Sequence, residues 1–151
     1  MKPAVILSSE THSEDETIRL GADFARTLVA GDVVACYGDL GSGKTSFIRG
    51  ACAGLGIGEH VASPTFTIVN EYRSKKFPVY HFDFYRLNSF QDLQEIGVEE
   101  YLSRRDGVCF IEWAEKGNPL IAPLPRYAVE LSVGENRDTR IIVIRRYTDR
   151  T

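Results

Sequence analysis

The chain has 151 residues, a length typical of one folded domain, and it carries a formal net charge of −3. This acidic balance argues against a broad basic surface for nucleic acid, although it leaves room for a local basic patch. The three cysteines match no zinc or haem spacing, which predicts reduced, buried thiols. No apolar run has the length of a membrane span or of a signal-peptide core, so we expect a cytoplasmic protein without a membrane partner.

The first half of the chain alternates between predicted strands and helices. A short strand at residues 4–8 precedes a helix that begins after Ser13, where an S-x-x-E pattern predicts a capping box. Apolar spacing extends this helix to about Ala30, with Gly31 as its C-terminal cap. A short apolar run at residues 32–37 predicts a strand buried on both faces, and a glycine-rich loop and a second helix follow it.

The second half continues this alternation and ends in a hairpin. A helical pattern starts at Ser89, and the three prolines of residues 118–126 predict a loop. The further predicted strands are residues 67–72, 78–85, 107–113, 127–133 and 140–146. The last two are joined by the glycine-containing polar residues 134–138, which is typical of a β-hairpin.

The glycine-rich loop carries the strongest functional signal. Residues 38–45 read Gly-Asp-Leu-Gly-Ser-Gly-Lys-Thr, which fits G-x-x-x-x-G-K-[ST] between a strand and a helix. Glycines let the backbone close around an anion, and the N–H groups of the loop and first helical turn then point at phosphate oxygens. Lys44 supplies a point charge for the outer phosphates, and Thr45 supplies a hydroxyl for Mg²⁺. A glycine-rich turn that binds nothing is the alternative.

ATP with Mg²⁺ is the expected ligand, because the chain has no N-K-x-D run of the kind GTPases use to select guanine. The predicted nucleotide-binding residues of the loop are Asp39, Leu40, Gly41, Ser42, Gly43, Lys44, Thr45 and Ser46. Together the elements and the loop predict an α/β fold. We expect a P-loop NTPase core whose mixed, mostly parallel sheet is flanked by helices and ends in a C-terminal β-hairpin. One domain is expected at residues 1–147, followed by a frayed polar tail at residues 148–151.

Two acids stand where predicted strands end. Asp83 follows the apolar run 79–82, and Glu112 follows the apolar run 108–111. In open α/β sheets the carboxyl ends of parallel strands meet at the ligand site. A magnesium site needs oxygen ligands, and hydrolysis needs a group that orients water. The spacing leaves open which acid has which role, and a solvated strand end is the alternative. With Lys44, these acids are the candidate catalytic residues.

A third segment, residues 63–67, follows the loop helix at a place where switch loops arise. Its hydroxyls, such as that of Thr65, could reach Mg²⁺ or the terminal phosphate, whereas an ordinary loop with Pro64 in a turn is the alternative. The candidate metal-site residues are Thr45, Thr65, Asp83 and Glu112. His81 shares the face of Asp83 on its strand, and we expect a structural role for it.

These motifs together resemble the bacterial TsaE (YjeE) family of small P-loop ATPases. The resemblance covers nearly the whole chain and rests, in order, on residues 38–45, Ser63-Pro64-Thr65-Phe66-Thr67, His81-Phe82-Asp83-Phe84-Tyr85-Arg86-Leu87, Glu95-Ile96-Gly97 and Ile111-Glu112-Trp113. It implies a protein that binds ATP with Mg²⁺, hydrolyses ATP slowly, and acts with TsaB and TsaD in threonylcarbamoyladenosine (t6A) modification of tRNA. The tRNA would be met only through that assembly.

The resemblance also implies roles for single residues. By position, Thr45 and Glu112 would be the Mg²⁺ ligands, and Asp83 would be the Walker-B-like acid. Thr65 would lie in a switch-like loop. Glu14, at the start of the first helix, would lie near the nucleotide base, with a second contact within residues 136–140 of the hairpin loop.

Two other functions use the same phosphate loop. A small-molecule kinase would transfer the γ-phosphoryl group to an acceptor. Such kinases usually carry an arginine-rich lid, whereas this chain has only the pairs Arg104-Arg105 and Arg145-Arg146. A nucleotide-gated scaffold without turnover is the third hypothesis.

Overall fold

The structure is a computed structural model that describes residues 2–65 and 67–149. The strands are β1 (Lys2–Thr11), β2 (Val33–Tyr37), β3 (Val69–Arg73), β4 (Pro78–Asp83), β5 (Val108–Glu112), β6 (Arg126–Val133) and β7 (Arg140–Thr148). The helices are α1 (Glu14–Ala25), α2 (Lys44–Gly54), α3 (Phe90–Ile96), α4 (Val98–Arg104) and α5 (Asn118–Ile121), and a 3-10 turn spans Ala114–Gly117. Within the described ranges, no helix is long and apolar enough to cross a membrane.

All of these strands join one sheet in the order β1-β7-β6-β2-β5-β4-β3. The four central strands β6, β2, β5 and β4 are parallel to one another. The outer strands β7, β1 and β3 pair antiparallel. The predicted α/β fold with a mixed, mostly parallel sheet and a C-terminal hairpin is therefore confirmed. The parallel centre brings the carboxyl ends of β2, β4 and β5 to one edge of the sheet.

The helices cover both faces of the sheet. One apolar cluster joins α1 and α2 to the sheet through residues such as Phe24, Phe47 and Val34. The cluster on the opposite face includes Leu93 of α3 and Ile121 of α5. Because successive strand residues point to opposite faces, β2, β4 and β5 are buried on both sides, which explains their nearly continuous apolar sequences. Strand β6 alternates instead and exposes Glu130 and Ser132.

Helices α1 and α2 approach each other backbone to backbone. A Cβ atom on Gly50 would lie 1.9 Å from the carbonyl oxygen of Ile18, and one on Gly21 would lie 2.2 Å from that of Phe47. Neither position tolerates a side chain without displacing the partner helix. Helix α2, whose first two residues complete the glycine-rich loop 38–45, is thereby fixed against α1.

Helix α1 ends five residues earlier than the spacing predicts, at Ala25 and not at Ala30. The chain then turns, because the Asp32 carboxylate accepts the backbone N–H of Val29 at 2.9 Å. Gly31, with φ 97°, lies in this turn and does not cap the helix. The predicted cap was therefore wrong: a glycine at the entrance to β2 has the same sequence signature as a helix cap.

Two further differences lie in the C-terminal third. The predicted loop at residues 118–126 contains the one-turn helix α5, which tolerates a proline in its first turn. Thr148, the first residue of the predicted tail, pairs with Lys2 of β1. Residues 150 and 151 of that tail, like Phe66 of the 63–67 segment, lie outside the described residues.

Candidate nucleotide-binding site

The loop between β2 and α2 is shaped by glycines at positive φ: 149° at Gly38, 80° at Gly41 and 104° at Gly43. Other residues adopt such angles only with strain. Gly43 is the N-cap of α2, and no side chain caps the helix there. The N–H groups of the first turn and the positive end of the helix dipole therefore face the loop, as an anion site requires.

Lys44 is the first residue of α2 and is 4% exposed. Its ammonium donates to the carbonyl oxygens of Gly38 at 2.5 Å and Asp39 at 3.0 Å. Burial lowers the pKa of Lys44 by removing water from around the charge, while nearby Glu112 acts in the opposite direction. A cation with so little water around it has much to gain from a phosphate oxygen.

Trp113 covers this lysine. The Lys44 ammonium lies 4.1 Å from the centroid of the Trp113 ring, and the centroids of the Trp113 and Tyr85 rings are 4.9 Å apart. Trp113 has φ 56°, a left-handed conformation that is uncommon outside glycine. The turn that follows β5 directs the indole to the site, where it encloses the lysine.

Glu112, the last residue of β5, has both carboxylate oxygens engaged. Oε1 accepts the Thr45 hydroxyl at 2.7 Å, and Oε2 lies 2.7 Å from Nε2 of His81. Glu112 is 3% exposed and His81 is fully buried. The carboxylate therefore has one fixed orientation, with one edge toward α2 and the other toward β4.

Asp83, the last residue of β4, pairs in register with Glu112 of β5. Its Oδ2 accepts the hydroxyls of Ser63 at 2.5 Å and Thr65 at 3.1 Å, and its Oδ1 accepts the backbone N–H of Tyr85 at 2.8 Å. Asp83, like Glu112, is 3% exposed, which rules out the alternative of solvated strand ends. The hydrogen bonds from Ser63 and Thr65 to Asp83 hold the 63–65 segment at the edge of the sheet.

These groups line one cavity of about 590 Å³, a size typical of small-molecule sites. Of the predicted nucleotide- and metal-site residues, all line this cavity except Asp39. Asp39 accepts the Lys44 ammonium through its backbone carbonyl, and its contact with nucleotide stays a prediction. Glu14, at the start of α1, lines the cavity and also contacts Arg49 of α2, with 3.5 Å between Oε1 and Nη1.

The oxygen-bearing side chains on this side of the cavity suit a hard divalent cation. They are hydroxyl and carboxylate oxygens, contributed by Thr45, Thr65, Asp83 and Glu112. Across the described ranges, three or more His, Cys, Asp or Glu side chains nowhere converge as a metal cage. Mg²⁺ needs no such cage, since it usually binds one or two carboxylates together with water and substrate phosphates. The residues present therefore fit Mg²⁺.

The family model described as "Threonylcarbamoyl adenosine biosynthesis protein TsaE" matches residues 11–142. The chain belongs to the TsaE family. It is 41% identical to "tRNA threonylcarbamoyladenosine biosynthesis protein TsaE" of Treponema pallidum (strain Nichols), over 82% of this chain and 87% of that protein. It is 46% identical to the protein of the same name in Bacillus subtilis (strain 168), over 72% of this chain and 66% of that protein.

A solved structure has the same fold. The "Crystal structure of Bacillus subtilus YdiB" superposes with a TM-score of 0.82 at 32% identity, covering 98% of this chain and 89% of that chain. The predicted family is thus confirmed. Membership of the TsaE family gives the chain a place in threonylcarbamoyladenosine biosynthesis and a P-loop nucleotide-binding role, and the small-molecule kinase is not favoured.

The TsaE-family site also contains residues that the local sequence did not single out. Ser13 and Thr17, beside Glu14, line the cavity. Arg140 of β7 lines it as well and donates to the carbonyl oxygen of Gly41 at 3.0 Å. It lies within the hairpin segment 136–140 that the resemblance indicates. The pairing of β6 with β2 brings that hairpin beside the loop. The place of Arg140 at the site therefore follows from the strand order and not from a local sequence motif.

Proposed function

We propose that this TsaE-family protein binds ATP with Mg²⁺ and hydrolyses ATP slowly, as a cytoplasmic component that acts with TsaB and TsaD in t6A modification of tRNA. The tRNA is met indirectly through that assembly. One observation carries the proposal: Lys44 and Thr45 at the start of α2 share one cavity with Asp83 and Glu112, which come from the ends of two parallel strands. A phosphate-binding loop facing two buried acids is the arrangement that nucleotide hydrolysis requires.

Each group has a role that follows from its position. The loop N–H groups and the Lys44 ammonium bind the β- and γ-phosphates. Thr45 and Glu112 would hold Mg²⁺, which when bound neutralises charge on the phosphate oxygens. Asp83 keeps the hydroxyls of Ser63 and Thr65 at the cavity wall. Asp83 and Glu112 are also the candidates for orienting the attacking water.

Nucleotide affinity tests the binding step. Lys44→Ala should weaken ATP binding about 10–100-fold, because the phosphates lose a charge-assisted hydrogen-bond donor. Titration calorimetry measures the affinity, and Lys75→Ala, which removes an exposed lysine outside the cavity, is the matched control. Equal ATP affinity in Lys44→Ala and wild type would contradict the assignment of the site.

Reconstituted t6A synthesis tests the physiological role. Under multiple-turnover conditions with TsaB and TsaD, we expect t6A formation to continue only when this protein and ATP are both present. ADP formation that depends on an added small-molecule acceptor, and not on TsaB and TsaD, would instead identify a kinase. Support of t6A synthesis without any ATP turnover would identify a nucleotide-gated scaffold.

A further inference from the structure

A buried imidazole stands behind the carboxylate that contacts Thr45. His81 is 0% exposed, and its Nε2 lies 2.7 Å from Glu112 Oε2. Oε1 of the same carboxylate accepts the Thr45 hydroxyl at 2.7 Å. The three side chains form a line of contacts that runs from β4 through the end of β5 to the first turn of α2.

The sheet register places His81 beneath the site and not in it. In β4, His81 lies opposite Phe110 of β5, and Asp83 lies opposite Glu112. His81 and Asp83 point to the same face of the sheet because they are two residues apart. His81 lies two residues before the end of β4 and is therefore further from the carboxyl edge of the sheet. Asp83 and Glu112 line the cavity, whereas His81 is not among the described residues that line it. Any effect of His81 on bound nucleotide must therefore pass through Glu112.

Only one of the two ring nitrogens of His81 has a hydrogen-bond partner among the described residues. An ionised carboxylate only accepts hydrogen bonds, so the contact with Glu112 places a proton on Nε2. The other nitrogen, Nδ1, is buried and has no hydrogen-bond partner within the described part of the chain. An unpartnered buried nitrogen destabilises a fold, and an apolar side chain of similar size would fill the same space without that cost. A role confined to packing therefore does not account for a histidine here.

We propose that His81 is a positioning residue, which holds Glu112 Oε2 so that Oε1 faces Thr45 and the cavity. The inference rests on the proposed ATP- and Mg²⁺-binding function and specifies how its acidic ligand is oriented. Without a donor at Oε2, the side chain of Glu112 gains rotational freedom and the Thr45 hydroxyl loses an aligned acceptor. Hydrogen-bond partners behind metal-site carboxylates typically contribute about 10–100-fold to metal affinity or activity.

Two amide variants separate positioning from packing. In His81→Gln the amide nitrogen reaches the place of Nε2, whereas in His81→Asn the shorter side chain reaches only the place of Nδ1. Trp113, the single tryptophan, lines the cavity, so we choose its fluorescence as the probe of ATP binding. The quantity measured is the gain in ATP affinity when Mg²⁺ is added, with the free energy of unfolding determined in parallel for each variant.

We expect ATP affinity without Mg²⁺ to match wild type in both variants, because Lys44 and the loop are unchanged. The gain on adding Mg²⁺ should fall about tenfold in His81→Asn and stay within about twofold of wild type in His81→Gln. Single-turnover hydrolysis should follow the same order. A folded His81→Asn with the full wild-type gain would overturn the inference and leave the proposed function intact. A wild-type protein without any gain would overturn both.

The wild-type protein supplies a second measurement that does not depend on folding of the variants. Long-range ¹⁵N–¹H NMR assigns the tautomer of each imidazole, and the chain has only 3 histidines to distinguish. We expect the His81 proton on Nε2, in slow exchange with water. A proton on Nδ1 would show that Nε2 does not donate to Glu112, and the positioning role would be wrong.

Discussion

At the scale of single residues, Glu112 contacts both Thr45 and His81, and its loss should affect folding and turnover separately. Glu112→Ala leaves the buried His81 imidazole without a partner, so we expect the free energy of unfolding to fall by about 1–3 kcal/mol. Glu112→Gln preserves the side-chain volume and one carbonyl acceptor, so its loss should be smaller. Chemical denaturation measures both changes.

Function should respond differently from stability in these two variants. Lys44 and the loop N–H groups remain, so ATP binding without Mg²⁺ should persist in both, whereas hydrolysis measured with TsaB and TsaD should fall in both. Glu112→Gln is the sharper case, because it changes the charge at nearly constant shape. Wild-type hydrolysis by Glu112→Gln would remove Glu112 from the proposed machinery.

The residues of the site differ in how far local sequence could predict them. The loop residues and Lys44 follow from one contiguous motif whose geometry is local. Asp83 and Glu112 could be predicted because each directly follows an apolar run that reads as a strand. The contact between His81 and Glu112 depends on the register of β4 against β5, and the contact between Arg140 and Gly41 depends on the neighbourhood of β6 and β2. Short-range periodicity encodes neither register nor strand order, so these contacts required the fold.

At the scale of elements, the close packing of α1 on α2 determines where the phosphate loop ends. Gly50→Ala should destabilise the protein by about 1–3 kcal/mol, because the new Cβ meets the Ile18 carbonyl of α1. Helix propensity alone predicts the opposite sign, since alanine is the better helix former. Gly58→Ala is the matched control, because a Cβ there meets nothing within 4 Å and needs no positive φ.

Denaturation of the two glycine variants distinguishes packing from propensity. If Gly50→Ala is as stable as wild type or more so, then the two helices are not held in backbone contact. If it is destabilised while Gly58→Ala is not, the contact fixes α2. A reduced ATP affinity in the folded Gly50→Ala variant would further show that the position of α2 sets the geometry of the loop.

Element boundaries show why the fold could be predicted better in its order than in its detail. The order of the strands and of the first two helices follows from period and from glycine and proline positions, and it was correct. The single helix predicted from Ser89 is two helices, α3 and α4, which meet at Gly97. The end of α1 was wrong, because Leu28 is buried by the turn after the helix and so continued the apolar spacing past Ala25. A residue that is buried by a turn is apolar in the sequence, just as one that is buried by a helix, so the pattern does not distinguish the two.

At the scale of the whole molecule, the thiols report on how completely the core excludes water. The predicted burial of the cysteines is confirmed: Cys36 and Cys52 are 0% exposed and Cys109 is 4% exposed. Burial raises the pKa of Cys52 and Cys109 to about 12, from an ordinary value of 9.0. The pKa of Cys36 moves further in the same direction, through burial and through the charge of Glu112.

These raised values predict a loss of stability at alkaline pH. Above pH 9 the unfolded chain releases thiol protons that the folded chain still holds, so each further rise in pH favours unfolding. At pH 10 the three thiols together should lower the free energy of unfolding by about 4 kcal/mol relative to pH 8. Burial also raises the pKa of Tyr37 above its ordinary 10, so the comparison stops at pH 10, where thiols dominate.

Urea denaturation between pH 8 and pH 10 checks this dependence, with Cys52→Ala as the comparison variant. Removing one buried thiol should make the decline in unfolding free energy about one third shallower, whatever its effect on stability at pH 8. The slope therefore isolates the thiol from the cavity that alanine leaves. A wild-type stability that stays constant to pH 10 would mean that water reaches the thiols, and that the two apolar layers around β2 are open to solvent.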